Sequence, residues 1–252
     1  MKLHVKIGLV LFLAGFTGIL SLLSMPFASV AFPQEVLAAY SETTLRLLST
    51  INPLILLIAA VVVGTILYPK VPALSAPSLE KMLSPAPASW QKVLTQQFKS
   101  GLVGGVVAGA AIIVVEAFFK QLLPMEFSEL SARNSPNLVV RLLYGGITEE
   151  VMLRFGMMTL LAWVLIKLTH KASPIALWPA IVLASLLFAA AHLPLAFALV
   201  PEASSLLILY ILLGNSVAGI IYGWLYWKKG LEAAIIAHMV THLIIIGASA
   251  LV

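Results

Sequence analysis

The chain has 252 residues, of which 61% are hydrophobic and only 10% are charged. A typical soluble domain carries roughly 25% charged residues, so this composition excludes a soluble globular fold and a disordered chain. The absence of cysteine excludes disulfides, thiolate metal sites and a cysteine nucleophile. A net charge of +5 gives no support to nucleic-acid binding. The fold class that remains is an all-α polytopic membrane bundle, because lipid requires every backbone polar group to be satisfied internally.

Stretches without charge predict the membrane spans. Five long stretches contain no Asp, Glu, Lys or Arg, namely 7–34, 47–69, 172–201, 203–227 and 233–252. Two further apolar segments, about 101–123 and about 138–166, carry embedded charges. Each segment can hold the ~20 residues of a spanning helix. We therefore expect seven spans, with a range of six to eight because prolines interrupt the stretch 172–201.

The first span has an alternative interpretation. Lys2 and Lys6, an apolar run and then Ser29-Val30-Ala31 resemble a signal peptide with its cleavage site. The apolar run is longer than such signals usually are, and further spans follow it. These features favour an uncleaved first helix.

The distribution of basic residues predicts the topology. Ten Lys residues lie in four alternate regions: the N-terminus, 69–99, 167–173 and 228–232. The opposite side carries only Arg46, Lys120 and Arg133. We therefore expect a multi-pass protein of a bacterial plasma membrane, with a cytoplasmic N-terminus and an external C-terminus.

No internal repeat or low-complexity tract divides the chain, so we expect a single integral membrane domain over 1–252. Within it, 1–137 provides the first spans and a proline-rich cytoplasmic connection, and 138–252 provides the core that carries the polar motifs. Gly101, Gly105 and Gly109 recur every four residues. This spacing is typical of helices that pack closely in lipid.

Three charged residues lie within one six-residue segment of the fourth span. A charged side chain is costly inside a membrane, so its presence there indicates a functional role. Glu150 and Arg154 are four residues apart, so both lie on one helix face and are able to pair. Glu149 is rotated away from Glu150 and adds a second carboxylate near one cation. This combination is suited to a general acid or base. A purely structural Glu–Arg clamp between helices is the alternative, and it needs only one carboxylate.

Histidines follow in two later spans. His192 closes the segment Phe188-Ala189-Ala190-Ala191-His192, and His238 and His242 share one face of the last span. The second pair has metal-ligand spacing, but it lacks the Glu that follows the first His in zinc-peptidase helices. Together with the glutamates, these residues are able to activate water and stabilise an oxyanion, or to bind a divalent metal.

We expect simpler roles for the other polar groups inside the spans. Glu116 and Lys120 are spaced to pair on one helix face. Arg141 lies near enough to the membrane surface to extend its side chain outward. Asn215 is either a packing residue or a site residue.

The ordered motifs Glu149-Glu150-x-x-x-Arg154, Phe188-x-x-x-His192 and His238-x-x-x-His242 resemble those of the CPBP family. That family contains type II CAAX prenyl endopeptidases, bacteriocin-processing proteins and abortive-infection proteins. The resemblance covers about 138–252.

The resemblance implies a glutamate-type intramembrane endopeptidase. Glu149 would then activate water with assistance from His192, while Glu150 and Arg154 would orient the site. His238 and the residue four positions later would stabilise the oxyanion. The family commonly has Asn at that later position, where this chain has His242. No cofactor is expected, although zinc held by Glu149, His192, His238 and His242 is the alternative.

Two other functions remain open from the sequence: a proton-coupled transporter, and a non-catalytic membrane scaffold or immunity protein. The expected partners are a peptide or protein substrate and the lipid bilayer, without nucleic acid. The sequence does not specify the substrate or the oligomeric state.

Overall fold

A computed structural model of the chain describes residues 1–25, 34–85, 89–200 and 203–250. These residues form helices and connections, with no strand among them. Within these described ranges, seven helices are long and apolar enough to cross a membrane, which confirms the predicted all-α fold class and the span count. They are α1 (Leu3–Ser24), α2 (Glu42–Lys70), α3 (Trp90–Phe119), α4 (Leu138–Thr169), α5 (Pro174–Leu199), α6 (Ser205–Lys228) and α7 (Leu231–Ser249). The chain is an integral multi-pass membrane protein.

Ser29, Val30 and Ala31, on which the signal-peptide alternative depends, lie outside the described residues. The described parts of the connections contain three short helices: Gln34–Ala39, Pro77–Leu83 and Met125–Arg133.

Side-chain caps start several helices. Ser41 accepts a hydrogen bond from the backbone N–H of Thr44, and Ser204 accepts one from Leu207. At the start of α4, the side chain of Asn137 accepts from the N–H of Val140. Each cap satisfies a backbone donor that the first turn of a helix leaves free.

The winding of α4 differs from the α-helical expectation. Residues Arg141–Glu149 and Val151–Met158 form π-helical turns on either side of Glu150. The hydroxyl of Thr159 donates to the carbonyl of Arg154, five residues earlier, which follows the wider turn, while the hydroxyl of Thr148 donates to the carbonyl of Gly15 on α1 at 2.7 Å. Such wide turns are frequent at functional sites, and here they lie in the helix that carries three of the predicted site residues.

α5 is interrupted where the prolines suggested. Its main helix ends at Ala190, residues Ala191 and His192 form a turn, and a short helix follows over Leu193–Leu199. The break precedes Pro194, which has no N–H to donate to the carbonyl of Ala190 and whose ring would clash with that carbonyl if the helix continued. Pro179 lies inside the helix without ending it.

α7 lies at the centre of the packing. It contacts α3 over its length, α3 and α6 also pack together, and α1 and α2 cover the two halves of α4. One cluster of buried apolar residues receives side chains from all seven helices.

Hydrogen bonds to the connection between α2 and α3 fix the start of α7. Glu232 is buried, and its Oε1 accepts hydrogen bonds of 2.9 Å from the backbone N–H groups of Ser78 and Leu79. The N–H of Leu231 donates to the carbonyl of Ser75 at 2.9 Å. The connection between α2 and α3 therefore holds the helix that carries His238.

Close contact between α3 and α7 depends on glycine. A Cβ atom at Gly105 would lie 2.5 Å from Cβ of Val240 and 2.6 Å from the carbonyl oxygen of Ala237. The second contact is with backbone, which cannot rotate away. The sequence-based expectation of close packing at this glycine is thus met.

Replacement of Gly105 by alanine is expected to push α3 away from α7 and to lower the unfolding temperature by several degrees, because overpacking costs about 1–3 kcal/mol. The measurement is thermal unfolding of the purified full chain in detergent. Gly247→Ala is the matched control, since no atom lies within 4 Å of its added Cβ. Equal unfolding temperatures for Gly105→Ala and Gly247→Ala would contradict the packing interpretation.

Candidate active site

The centre of the polar cluster is a buried ion pair on α4. Nη1 of Arg154 lies 3.0 Å from Oε1 of Glu150, and the exposed fractions of the two side chains are 1% and 0%. Nη2 of Arg154 donates to the carbonyl of Gly219 on α6 at 2.9 Å. The sequence-based prediction of this pair is reproduced by the geometry, and the guanidinium also connects two helices.

Aromatic rings enclose the guanidinium of Arg154. Its Cζ lies 5.5 Å from the ring centre of Phe188 and 5.3 Å from that of Tyr222. Cation–π contacts of this kind strengthen when they are shielded from water. α4, α5 and α6 therefore meet at a single charged side chain.

His238 on α7 joins the same cluster. Its Nδ1 lies 2.9 Å from Oε1 of Glu150, and because a carboxylate only accepts, Nδ1 carries the hydrogen. Tyr222 stacks on the imidazole with ring centres 4.7 Å apart. Nε2 is left to face Glu149, whose Oε2 lies 3.9 Å away. Glu150 thus orients His238, much as a second carboxylate orients a catalytic imidazole.

The two adjacent glutamates have different surroundings. Glu150 is enclosed by protein, whereas 16% of the Glu149 side chain is exposed. Glu149 lines a cavity of about 400 Å³ inside the bundle, and neither Glu150 nor Arg154 lines it. Glu149 is therefore the carboxylate that a molecule in the cavity meets.

His192 reaches the same cavity from the break in α5. Its Nδ1 lies 2.9 Å from the carbonyl oxygen of Phe188 and must carry the hydrogen, because a carbonyl cannot donate. Its Nε2 is therefore an acceptor. His192 and Phe188 are in edge contact, with ring centres 4.8 Å apart. The turn at the end of the main helix thus fixes both the position and the tautomer of this histidine.

His242 lies one turn beyond His238, and the two imidazoles stack with ring centres 4.9 Å apart. A Cβ at Gly145 on α4 would lie 2.6 Å from Nε2 of His242. The absence of a side chain at Gly145 therefore leaves the space that the imidazole occupies. Among the described residues Nδ1 of His242 has no hydrogen-bond partner. Its tautomer is therefore not fixed by the protein.

The structure brings the six sequence-predicted site residues to one place. Glu149, His192, His238 and His242 line the cavity, while Glu150 and Arg154 support it from behind. By helix rise alone, His192 and His238 would lie at different depths. The cavity extends along α7 from His238 to Ile245, so both histidines reach it although they lie on different turns.

Three simpler expectations have mixed outcomes. In the part of the chain that the structure describes, no ion pair joins Glu116 to Lys120, although both line a neighbouring cavity. Arg141 is half-buried and reaches back toward the connection that precedes α4, as the expectation of an outward extension requires: it donates to the carbonyl of Pro136 and to the hydroxyl of Ser135, and it lines the candidate-site cavity. Asn215 donates to the carbonyl of Ile211 on its own helix and also lines that cavity.

Sequence analysis missed the contributions of Tyr222 and Gly219. Both belong to α6, which carries no charged residue between its ends and no motif with histidine. A tyrosine within an apolar span was the available signal, because a buried hydroxyl normally needs a partner. The carbonyl of Gly219 is a backbone group, so no sequence pattern could have revealed it.

The sequence-based alternative of a zinc site stays a prediction. Among the described residues no three His, Asp or Glu side chains are placed to share a metal, whereas a catalytic zinc site needs three protein ligands. Nδ1 of His192 and Nδ1 of His238 are both engaged in hydrogen bonds within the protein, which leaves Nε2 of each imidazole as the nitrogen able to contact a ligand.

Fold and site together define a class: a polytopic membrane helix bundle with a buried Glu–Arg–His network beside a cavity that Glu149 and three histidines line. Residues 131–244, a little under half of the chain, match the family model of the type II CAAX prenyl endopeptidase Rce1-like proteins. The match confirms the resemblance seen in the motifs and supports a peptidase of the CAAX-protease type. No curated protein and no solved structure gives a significant match to the chain.

Removal of the guanidinium is expected to be among the most destabilising single changes in the bundle. Arg154→Met leaves the buried charge of Glu150 unpaired, which costs about 3–5 kcal/mol. The additional change Glu150→Gln removes that charge, so the double variant Arg154→Met/Glu150→Gln should unfold at a higher temperature than Arg154→Met. Thermal unfolding in detergent measures both. A double variant that is less stable than the single variant would contradict the ion-pair interpretation.

Proposed function

We propose that the chain is an intramembrane glutamate endopeptidase that hydrolyses a peptide or protein bond at the membrane. The observation that carries the proposal is the division between the glutamates: Glu149 faces the cavity beside His238, whereas Glu150 is enclosed and oriented toward Arg154. A general base must reach the reacting water, and a positioning residue need not.

The geometry suits water activation between Glu149 and two histidines. The 3.9 Å separation of Oε2 of Glu149 and Nε2 of His238 is too long for a direct hydrogen bond and fits a bridging water. Nε2 of His192 offers a further acceptor on the cavity wall. In the proposed step Glu149 takes a proton from this water. The oxygen of the resulting hydroxide then attacks the carbonyl carbon of the scissile bond.

The tetrahedral intermediate then needs donors for its oxyanion. His242 is a candidate because its tautomer is free to place a hydrogen on Nε2. His238 would donate from Nε2 only in its doubly protonated form, because the hydrogen on its Nδ1 is engaged with Glu150. Glu149 would return its proton to the leaving nitrogen as the C–N bond breaks, which completes the hydrolysis.

Replacement of Glu149 by glutamine is expected to lower the rate of substrate cleavage by about 10²–10⁴-fold, the usual contribution of a general base. Stability should change little, because no hydrogen bond of the Glu149 side chain holds the described structure together. Comparative peptidomics and proteomics of membranes from cells that carry wild type or Glu149→Gln would identify substrates that accumulate uncut.

Glu35→Gln is the matched control for this experiment, since Glu35 is exposed on the short helix Gln34–Ala39. Glu150→Gln should behave differently from Glu149→Gln, because it leaves Arg154 unpaired and lowers the unfolding temperature as well as the activity. Wild-type levels of cleavage products in the Glu149→Gln cells would refute the peptidase mechanism.

We also propose that the substrate enters from the membrane face opposite the lysine-rich loops. The end of the cavity beyond Ile245 is lined by Ser131 and Pro136 from the connection between α3 and α4, and by Leu199 at the end of α5. Lys171 and Lys228 lie at the other end of the bundle, which the basic-residue bias assigns to the cytoplasm. A substrate segment exposed outside the cytoplasm therefore has the shorter route to Glu149.

The absence of native cysteine makes the entry face testable by labelling. A membrane-impermeant maleimide added to intact cells is expected to modify Ser131→Cys at the cavity mouth. It should modify Ala172→Cys, in the exposed loop between α4 and α5, only after the membrane is permeabilised. The cysteine-free wild type gives the background. Labelling of Ala172→Cys but not Ser131→Cys in intact cells would reverse the proposed face.

A further inference from the structure

A second cavity lies on the lipid-facing side of the bundle, between α3, α5 and α6. Its volume is about 680 Å³, and it shares no lining residue with the candidate-site cavity. Val103 and Val107 of α3 and Trp178 of α5 are exposed along it, and Trp224 and Ile221 belong to its α6 wall. It is a long apolar groove that opens where acyl chains would lie.

Only one end of this groove is charged. Lys99 of α3 and Lys229 at the end of α6 lie there, together with Ser100. Among the described residues neither lysine forms an ion pair, and both are exposed. The groove continues from Lys99 to Val107, a length of ~12 Å at 1.5 Å per residue. The cavity is therefore cationic at its end and apolar along its length.

The surroundings of the charged end are those of a membrane interface. Trp178 and Trp227 are in edge contact with ring centres 6.0 Å apart, and Nζ of Lys228 lies 3.5 Å from the ring centre of Trp227. Tryptophans concentrate at the level of lipid headgroups. The lysines of the groove are thus held at headgroup depth, while its apolar part extends toward the membrane interior.

We propose that this groove is a binding site for an anionic phospholipid, with the headgroup phosphate at Lys99 and Lys229 and one acyl chain along Val103 and Val107. Charge complementarity carries the assignment. Basic pockets between membrane helices bind anionic headgroups, and an extended peptide would leave its backbone polar groups unpaired in the apolar part of the groove. The site is independent of the proposed peptidase chemistry.

Quenching of tryptophan fluorescence tests the lipid site directly, because Trp178 and Trp224 line it. The purified full chain in neutral detergent is titrated with dibrominated phosphatidylglycerol and, separately, with dibrominated phosphatidylcholine. Phosphatidylglycerol is expected to quench at lower concentration. Lys99→Gln/Lys229→Gln should weaken its apparent affinity on the order of tenfold.

Two matched control variants distinguish lipid binding in the groove from nonspecific attraction of anionic lipid to the protein. Lys81→Gln/Lys171→Gln removes the same charge from exposed positions that do not line the groove, and it should leave the affinity unchanged. Val107→Phe fills the groove and should weaken quenching by phosphatidylglycerol. Val114→Phe adds the same bulk to an exposed position of α3 outside it and should not.

Three results would overturn the proposal. Equal quenching by the two lipids would indicate ordinary bilayer contact. Equal weakening by the two lysine double variants would indicate nonselective attraction. A dimer of the chain that Val107→Phe dissociates and Val114→Phe does not would assign the groove to a second copy of this chain.

Discussion

The pairing of Glu150 with Arg154 is the interaction on which the polar centre of the bundle depends. Neither charge has access to solvent, so each requires the other within the membrane. Each group also makes one hydrogen bond to another helix: Arg154 donates to Gly219 on α6, and Glu150 accepts from His238 on α7. One costly charge pair therefore fixes the relative positions of three helices. The same contacts orient the imidazole that faces the cavity.

Close helix packing brings that imidazole within reach. Gly105 allows α3 to contact α7, and Glu232 binds the start of α7 to the connection between α2 and α3. Because water is absent from the bilayer interior, small residues and interhelical hydrogen bonds provide the attraction that the hydrophobic effect provides in soluble proteins. The depth of His238 is thus a consequence of contacts made far from the cavity.

The candidate-site cavity and the cationic end of the lipid-facing groove lie toward opposite ends of the bundle. The candidate-site cavity extends toward the connection between α3 and α4, while the exposed lysines of the groove lie at the opposite end. Under the proposed function, substrate access and lipid contact take place on different faces of the bundle. A bound substrate and a bound lipid then do not compete for the same residues, since the two cavities have no residue in common.

The sequence by itself determined the number of spans, because lipid penalises charge so strongly that charge-free stretches mark the membrane helices. It also identified the six candidate-site residues, since ionisable groups are rare inside such helices. Only the tertiary structure decided that Glu149 faces the cavity and Glu150 does not, and that Tyr222 and Gly219 enclose Arg154. These features depend on helix rotation, on the π-helical turns of α4 and on contacts between residues 65 to 88 positions apart. The predicted pair of Glu116 and Lys120 fails for the same reason: helical spacing permits a contact, but the packing around each side chain decides whether it forms.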